Sequence, residues 1–161
     1  MPKLDPAPLL LATEWFNTPE ALTLNDLRGK VIVIEAFQML CEGCVSHSLP
    51  QARRVFETFS RDDVIVIGLH CVFENHTSQT SEALADFLRE HRILFPVAVD
   101  TPGGQASLPK TMQSYGMQGT PTTVLIDRQG RRRAQHFGPV EDLRLGAELG
   151  TLLGERDSAR T

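Results

Sequence analysis

Three features of the chain point to an α/β domain with a mixed sheet. Two apolar runs, Val31–Phe37 (VIVIEAF) and Asp63–Leu69 (DVIVIGL), have the length and β-branched composition of buried strands. Stretches with helical apolar spacing follow each run, and strands alternating with helices imply right-handed β-α-β crossovers. Near the C-terminus, Thr122–Ile126 and Arg131–Phe137 flank the tight turn Asp127–Gly130, an antiparallel hairpin signal that makes the sheet mixed.

Taken in order, Met1–Leu11 is proline-rich and reads as irregular, and Glu14–Asn17 and Ala21–Leu24 flank Thr18-Pro19-Glu20 as a small N-terminal hairpin. Trp15, the only tryptophan, reads as a packing anchor. Gly29 marks a turn before the first core strand. Val45, Leu49, Ala52, Val55, Phe56 and Phe59 give a helix over Val45–Phe59, with Pro50 predicted to kink it by removing a backbone donor. The second core strand ends in His70-Cys71 and a polar loop follows. Thr80 is then a helix N-cap with Glu82 in the first turn, and Leu84, Phe87 and Leu88 form the apolar stripe. Phe95–Val99 reads as a short strand, Asp100–Gly104 as a turn, Gln105–Tyr115 as a helix and Glu141–Leu153 as a closing amphipathic helix.

With 161 residues, 41% hydrophobic and 22% charged, the chain is expected to form one domain, 1–161, with irregular tails at 1–13 and 155–161. A net charge of -4 argues against a nucleic-acid partner, and Arg131-Arg132-Arg133, the one basic run, reads as a solvated strand or loop. No stretch is long enough to span a membrane. Pro8–Ala12 is too short for a signal sequence, so the expected location is the cytoplasm, or the periplasm if a leader was removed. Three cysteines do not make a disulfide scaffold, and in a reducing compartment a close pair points to catalysis or metal binding.

That pair is Cys41-Glu42-Gly43-Cys44, at the junction of a buried strand and a helix. The first sulfur then sits at a helix N-terminus, where free N–H groups and the dipole favour an anion and lower the thiol pKa. Glu42 works against this by like-charge repulsion, which predicts a reductant rather than a strong oxidant. A metal-binding reading stands beside it. Cys41, Cys44, Cys71 and His70 make a conceivable zinc or copper set, although His70 and Cys71 point to opposite strand faces. Cys71 itself is either a third redox thiol or an inert packing residue. Asn75-His76-Thr77 matches a glycosylation pattern, a three-residue match expected by chance.

Three residue sets together resemble the thioredoxin superfamily: Phe37–Cys44 after a buried strand, Gly119-Thr120-Pro121-Thr122-Thr123 before a hairpin strand, and Glu35, six residues ahead of Cys41. The longer stretch between Cys44 and Pro121, with an insert at about 71–100, and the Leu27–Ile34 sequence are similar to TlpA-type and peroxiredoxin-like (AhpC/TSA-type) redoxins. The resemblance implies a three-layer α/β/α thioredoxin-like fold with no cofactor beyond a redox-active Cys41–Cys44 disulfide. It implies a monomeric protein-disulfide reductase that meets a disulfide-bearing protein and an upstream thiol reductant. Cys41 would attack, Cys44 would resolve, and Glu35 would exchange a proton with Cys44, its pKa raised by burial. Thr120 would present its backbone to the substrate ahead of a cis Pro121. Phe37 and Leu40 stand where many thioredoxins have tryptophan, which leaves client specificity open. A thiol peroxidase is the alternative, but its pattern needs proline and threonine where this chain has Val33 and Phe37-Gln38.

Overall fold

The computed structural model describes residues 4–105 and 107–155. Among them, one sheet contains β1 (Ala12–Phe16), β2 (Val31–Phe37), β3 (Val64–His70), β4 (Val97–Asp100), β5 (Thr122–Ile126) and β6 (Arg132–Phe137), in the order β1-β4-β3-β2-β5-β6. β2, β3 and β4 run parallel, while β1, β5 and β6 pair antiparallel with their neighbours. The helices are α1 (Leu49–Thr58), α2 (Ser81–Glu90), α3 (Lys110–Tyr115) and α4 (Asp142–Gly154).

All of β2 is buried, and its alternation divides it between two cores. Val31, Val33 and Phe37 pack with Leu49, Ala52 and Val55 of α1, Leu84 and Leu88 of α2, and Leu145, Leu149 and Leu152 of α4. Ile32, Ile34 and Ala36 face the other way, against Ile67, Leu69, and Met112 and Tyr115 of α3. Each Val, Ile, Leu, Phe or Met among them contributes roughly 1.5–3 kcal/mol on full burial, so the register of β2 is firmly set. Thr80 caps α2 as expected, its Oγ1 accepting the Ala83 N–H at 3.2 Å.

Four expectations are corrected. The N-terminal hairpin does not form: Trp15 and Phe16 pair with Ala98 and Val97, so β1 covers the open edge of β4. Asn17, at φ 61°, turns the chain away, its Nδ2 donating to the carbonyls of Ile93 (2.8 Å) and Phe95 (3.0 Å). β1 begins at Ala12, two residues inside the tail expected over 1–13, and Pro6 bridges to Arg131. The helix placed over Gln105–Tyr115 is confined to Lys110–Tyr115, because Pro109 fits only ahead of the first turn. Finally, the three arginines are half-buried and paired rather than solvated. Arg131 Nε lies 2.8 Å from Asp127 Oδ2, Arg133 reaches Asp127 and Glu155, and Arg132 donates to the Tyr115 carbonyl at 2.9 Å.

Candidate active site

β2 ends at Phe37, and the three residues that follow deliver Cys41 to the start of a helix. Cys41 occupies the N-cap: its carbonyl accepts the Val45 N–H at 3.0 Å and its Sγ accepts the Cys44 N–H at 3.3 Å. The two sulfurs are joined in a disulfide with Cα atoms 5.2 Å apart. Cys41 is half-buried, Cys44 is fully buried against the α1 core and Glu42 is exposed. An N–H aimed at the outer sulfur and the positive end of the helix both favour a thiolate there once the bond is reduced.

Ahead of Pro50, where a kink is expected, the helix has a π-helical turn over Cys44–Ser48, closed by the Leu49 N–H donating to the Cys44 carbonyl. Proline lacks the donor that would continue the regular pattern, and the ladder slips by one residue just before it. His47 Nε2 and Gln51 Nε2 both bond the Val140 carbonyl, at 2.8 and 2.7 Å, tying this turn to the chain entering α4.

Glu35 lies on the same face of β2 as Val33 and Phe37, the face against which Cys44 packs. Only 1% of its surface is exposed. Oε2 accepts from Thr123 Oγ1 at 2.7 Å, and Oε1 has no partner among the described residues. Burial pushes the carboxyl well above its ordinary 4.5, and the Thr123 bond opposes this only in part. The Thr120–Pro121 bond is cis, and Pro121 is adjacent to the motif, since a Cβ on Gly43 would sit 3.5 Å from Pro121 Cδ. Cys41, Cys44, Glu35, Thr120 and Pro121 are thus brought to one end of the sheet.

A cleft of about 330 Å³ opens beside Cys41, lined by Gln38, Leu40, Phe73, Glu74, Gln79 and Thr120 among others. Leu40 and Phe137 stand exposed on its rim. Its floor is a buried polar network that the sequence reading missed. Gln79 Oε1 accepts the Met39 N–H at 3.0 Å, and Gln79 Nε2 donates to the Glu74 carbonyl at 2.7 Å and to Gln38 Oε1 at 3.1 Å. His70 Nε2 lies 3.4 Å from Gln79 Oε1, and burial lowers the imidazole to about 4. The one sequence signal was Gln38 itself, a polar residue between a buried strand and the cysteine.

Cys71 is not part of this cluster. Its thiol packs on the opposite face of the sheet with Ile67, Leu69 and Ala98. Burial, and then the nearby Asp100 charge, push it well above the ordinary thiol value. Cys71 is therefore separated from Cys41 and Cys44 by the sheet, which breaks up the conceivable metal set. Among the described residues, no group of three or more His, Cys, Asp and Glu side chains is arranged to hold a metal ion. No helix among them is long and apolar enough to cross a membrane.

A model of the AhpC/TSA family matches residues 5–134. The chain belongs to the AhpC/TSA family. This AhpC/TSA-family chain is 56% identical to a thioredoxin-like superfamily protein of known structure, with a TM-score of 0.91 over 94% of this chain and 97% of that one. It is 51% identical to a thiol-disulfide isomerase from Corynebacterium glutamicum, with a TM-score of 0.89 over 93% and 98% of the two chains. Thiol-disulfide oxidoreductase ResA of Bacillus anthracis is 27% identical over 117 residues, 73% of this chain, and the chain spans 60% of the length of ResA. The fold of this AhpC/TSA-family chain is thioredoxin-like, with a mixed central sheet and a C-x-x-C disulfide.

Proposed function

We propose that this protein is a thiol–disulfide oxidoreductase that reduces protein disulfides through a Cys41/Cys44 dithiol–disulfide cycle. The observation that carries the reading is a half-buried sulfur at a helix N-cap, joined to a buried sulfur one turn deeper and opening onto a cleft. The names of the Corynebacterium glutamicum isomerase and of ResA point to the same reaction class.

In the forward direction the Cys41 thiolate attacks one sulfur of the client disulfide, and the other client sulfur leaves as a thiolate that takes up a proton. Cys44 gives up its proton and attacks Cys41 Sγ, releasing the second client thiol and leaving the Cys41–Cys44 disulfide. Two electrons pass from the protein to the client, and an upstream thiol reductant restores them. Glu35 is the acceptor for the Cys44 proton, because one oxygen without a partner among the described residues is buried on the Cys44 face and its raised pKa makes it a stronger base than an ordinary carboxylate. Thr120 offers backbone groups to an extended client segment across the cleft from Leu40. Glu42 adds negative charge beside Cys41 and favours the reducing direction.

Insulin reduction driven by a dithiol tests this reading. Wild type should accelerate precipitation of the insulin B chain and Cys41→Ser should not. A wild type no faster than the dithiol alone would overturn the proposal.

A further inference from the structure

We infer that Gln38 is a substrate-binding residue whose side-chain N–H donates to a main-chain carbonyl of the client peptide beside its disulfide. This rests on the disulfide-exchange reading above.

Two side-chain amides, those of Gln38 and Gln79, have orientations fixed by their neighbours. A backbone N–H is always a donor, so the Met39 N–H, 3.0 Å from the Gln79 side chain, needs an oxygen there. Gln79 Nε2 is then directed to the Glu74 carbonyl at 2.7 Å and to Gln38 Oε1 at 3.1 Å. The Phe73 N–H, 3.4 Å from the same Gln38 oxygen, demands an acceptor at that place for an independent reason. Both contacts place the oxygen of Gln38 on the inner side. Gln38 Nε2 is left facing outward, with no hydrogen-bond partner among the described residues. It is not sealed in: Glu35 Oε1 is the side-chain oxygen or nitrogen that is both buried and unpartnered among them. Gln38 is nevertheless only 5% exposed, and it lines the cleft with Cys41 and Thr120. A side chain held this firmly presents its two free N–H donors at little cost in entropy, and a free donor at a cleft wall needs an acceptor when a ligand displaces water.

The acceptor is a peptide carbonyl on three grounds. Every residue flanking a cystine in a protein carries one. Thr120, on the same cleft, already offers main-chain groups to a strand-like segment, so an extended peptide lying beside Thr120 brings a carbonyl past Gln38. The cleft holds about 330 Å³, most of which a peroxide would leave unfilled. Residues 73–75, from the loop between β3 and α2, form its far wall, so that loop joins the motif in choosing the client.

Two variants separate donation from mere support. Gln38→Glu keeps an oxygen for the Phe73 N–H and for Gln79 Nε2 but has no N–H to offer. Gln38→Met fills a similar volume and can do neither. Each is assayed at pH 8 with a short peptide containing one cystine and with bis(2-hydroxyethyl) disulfide, which has no carbonyl. The readout is the ratio of kcat/KM for the two disulfides, which cancels any change in the reactivity of Cys41 itself. Loss of one hydrogen bond should lower that ratio about tenfold in both variants. A fall in Gln38→Met alone would make Gln38 a structural brace, and a fall in Gln38→Glu alone would make the effect one of charge. Either result, or no fall in either variant, overturns the inference while leaving the disulfide-exchange reading intact. A wild type inactive on both disulfides would instead remove that reading, and this inference with it.

Discussion

Thr123 Oγ1 donates to Glu35 Oε2 at 2.7 Å across the β2–β5 pair, and the other oxygen of the same carboxyl is buried with no partner among the described residues. A half-satisfied carboxylate at a buried position is costly, so the fold favours the protonated form. In the unfolded chain this group ionises near 4.5, whereas the folded protein holds the proton to higher pH. Its contribution to stability is therefore intact below 4.5 and is lost as pH rises through the folded value. Melting curves of wild type and Glu35→Gln should coincide at acid pH and separate toward alkaline pH, with the variant more stable. Parallel curves across the range would mean that Glu35 ionises normally.

The same variant should be slow in turnover. If Glu35 takes the Cys44 proton, Glu35→Gln lowers kcat about a hundredfold or more near neutral pH, and the loss shrinks as pH rises and Cys44 ionises unaided. A pH-independent loss would assign Glu35 a packing role.

His70 carries the opposite sign. Burial lowers its imidazole from 6.5 to about 4, so the unfolded chain binds a proton that the folded one refuses. Stability from this group is complete above 6.5 and drains away as pH falls toward 4, by roughly 3 kcal/mol in all. Proton NMR of the imidazole should show a midpoint near 4 in the folded protein, and His70→Leu should flatten the acid limb of the stability curve. A midpoint near 6.5 would contradict the burial argument.

Cys71 should be chemically silent. After reduction, the native protein should expose Cys41 promptly, Cys44 more slowly and Cys71 only on denaturation, read by counting alkylated thiols by mass. Rapid native labelling of Cys71 would reinstate it as a redox partner.

Gly68 lies where β3 passes beneath aromatic side chains, and a Cβ there would come within 3.1 Å of Phe95 and Val97 and 3.2 Å of Phe37. Gly68→Ala should destabilise the fold by about 1–3 kcal/mol, measured by denaturant unfolding, because the neighbours are packed in place.

Local chemistry was legible in the sequence, and pairings over long separations were less so. The buried runs of β2 and β3, the Thr80 cap and the β5–β6 hairpin each carry their own signal in a few adjacent residues. β1 carries none that names β4, and a local turn signal at Thr18-Pro19-Glu20 suggested the wrong partner. The arginine run looked solvated because its partners, Asp127, Glu155 and the Tyr115 carbonyl, are set by the hairpin and by α3 and α4. The residues of the cleft floor were hidden for the same reason: Gln38 and Gln79 meet only once β2, β3 and the loop before α2 are in place.

In the proposed cycle Cys41 is the attacking sulfur and Cys44 the one that releases the client. Reduced Cys44→Ser, incubated with a cystine-containing peptide and digested for mass spectrometry, should accumulate a covalent adduct on Cys41 that a dithiol removes. No adduct on Cys41, or an adduct on Cys71 in its place, would rule out Cys41 as the nucleophile.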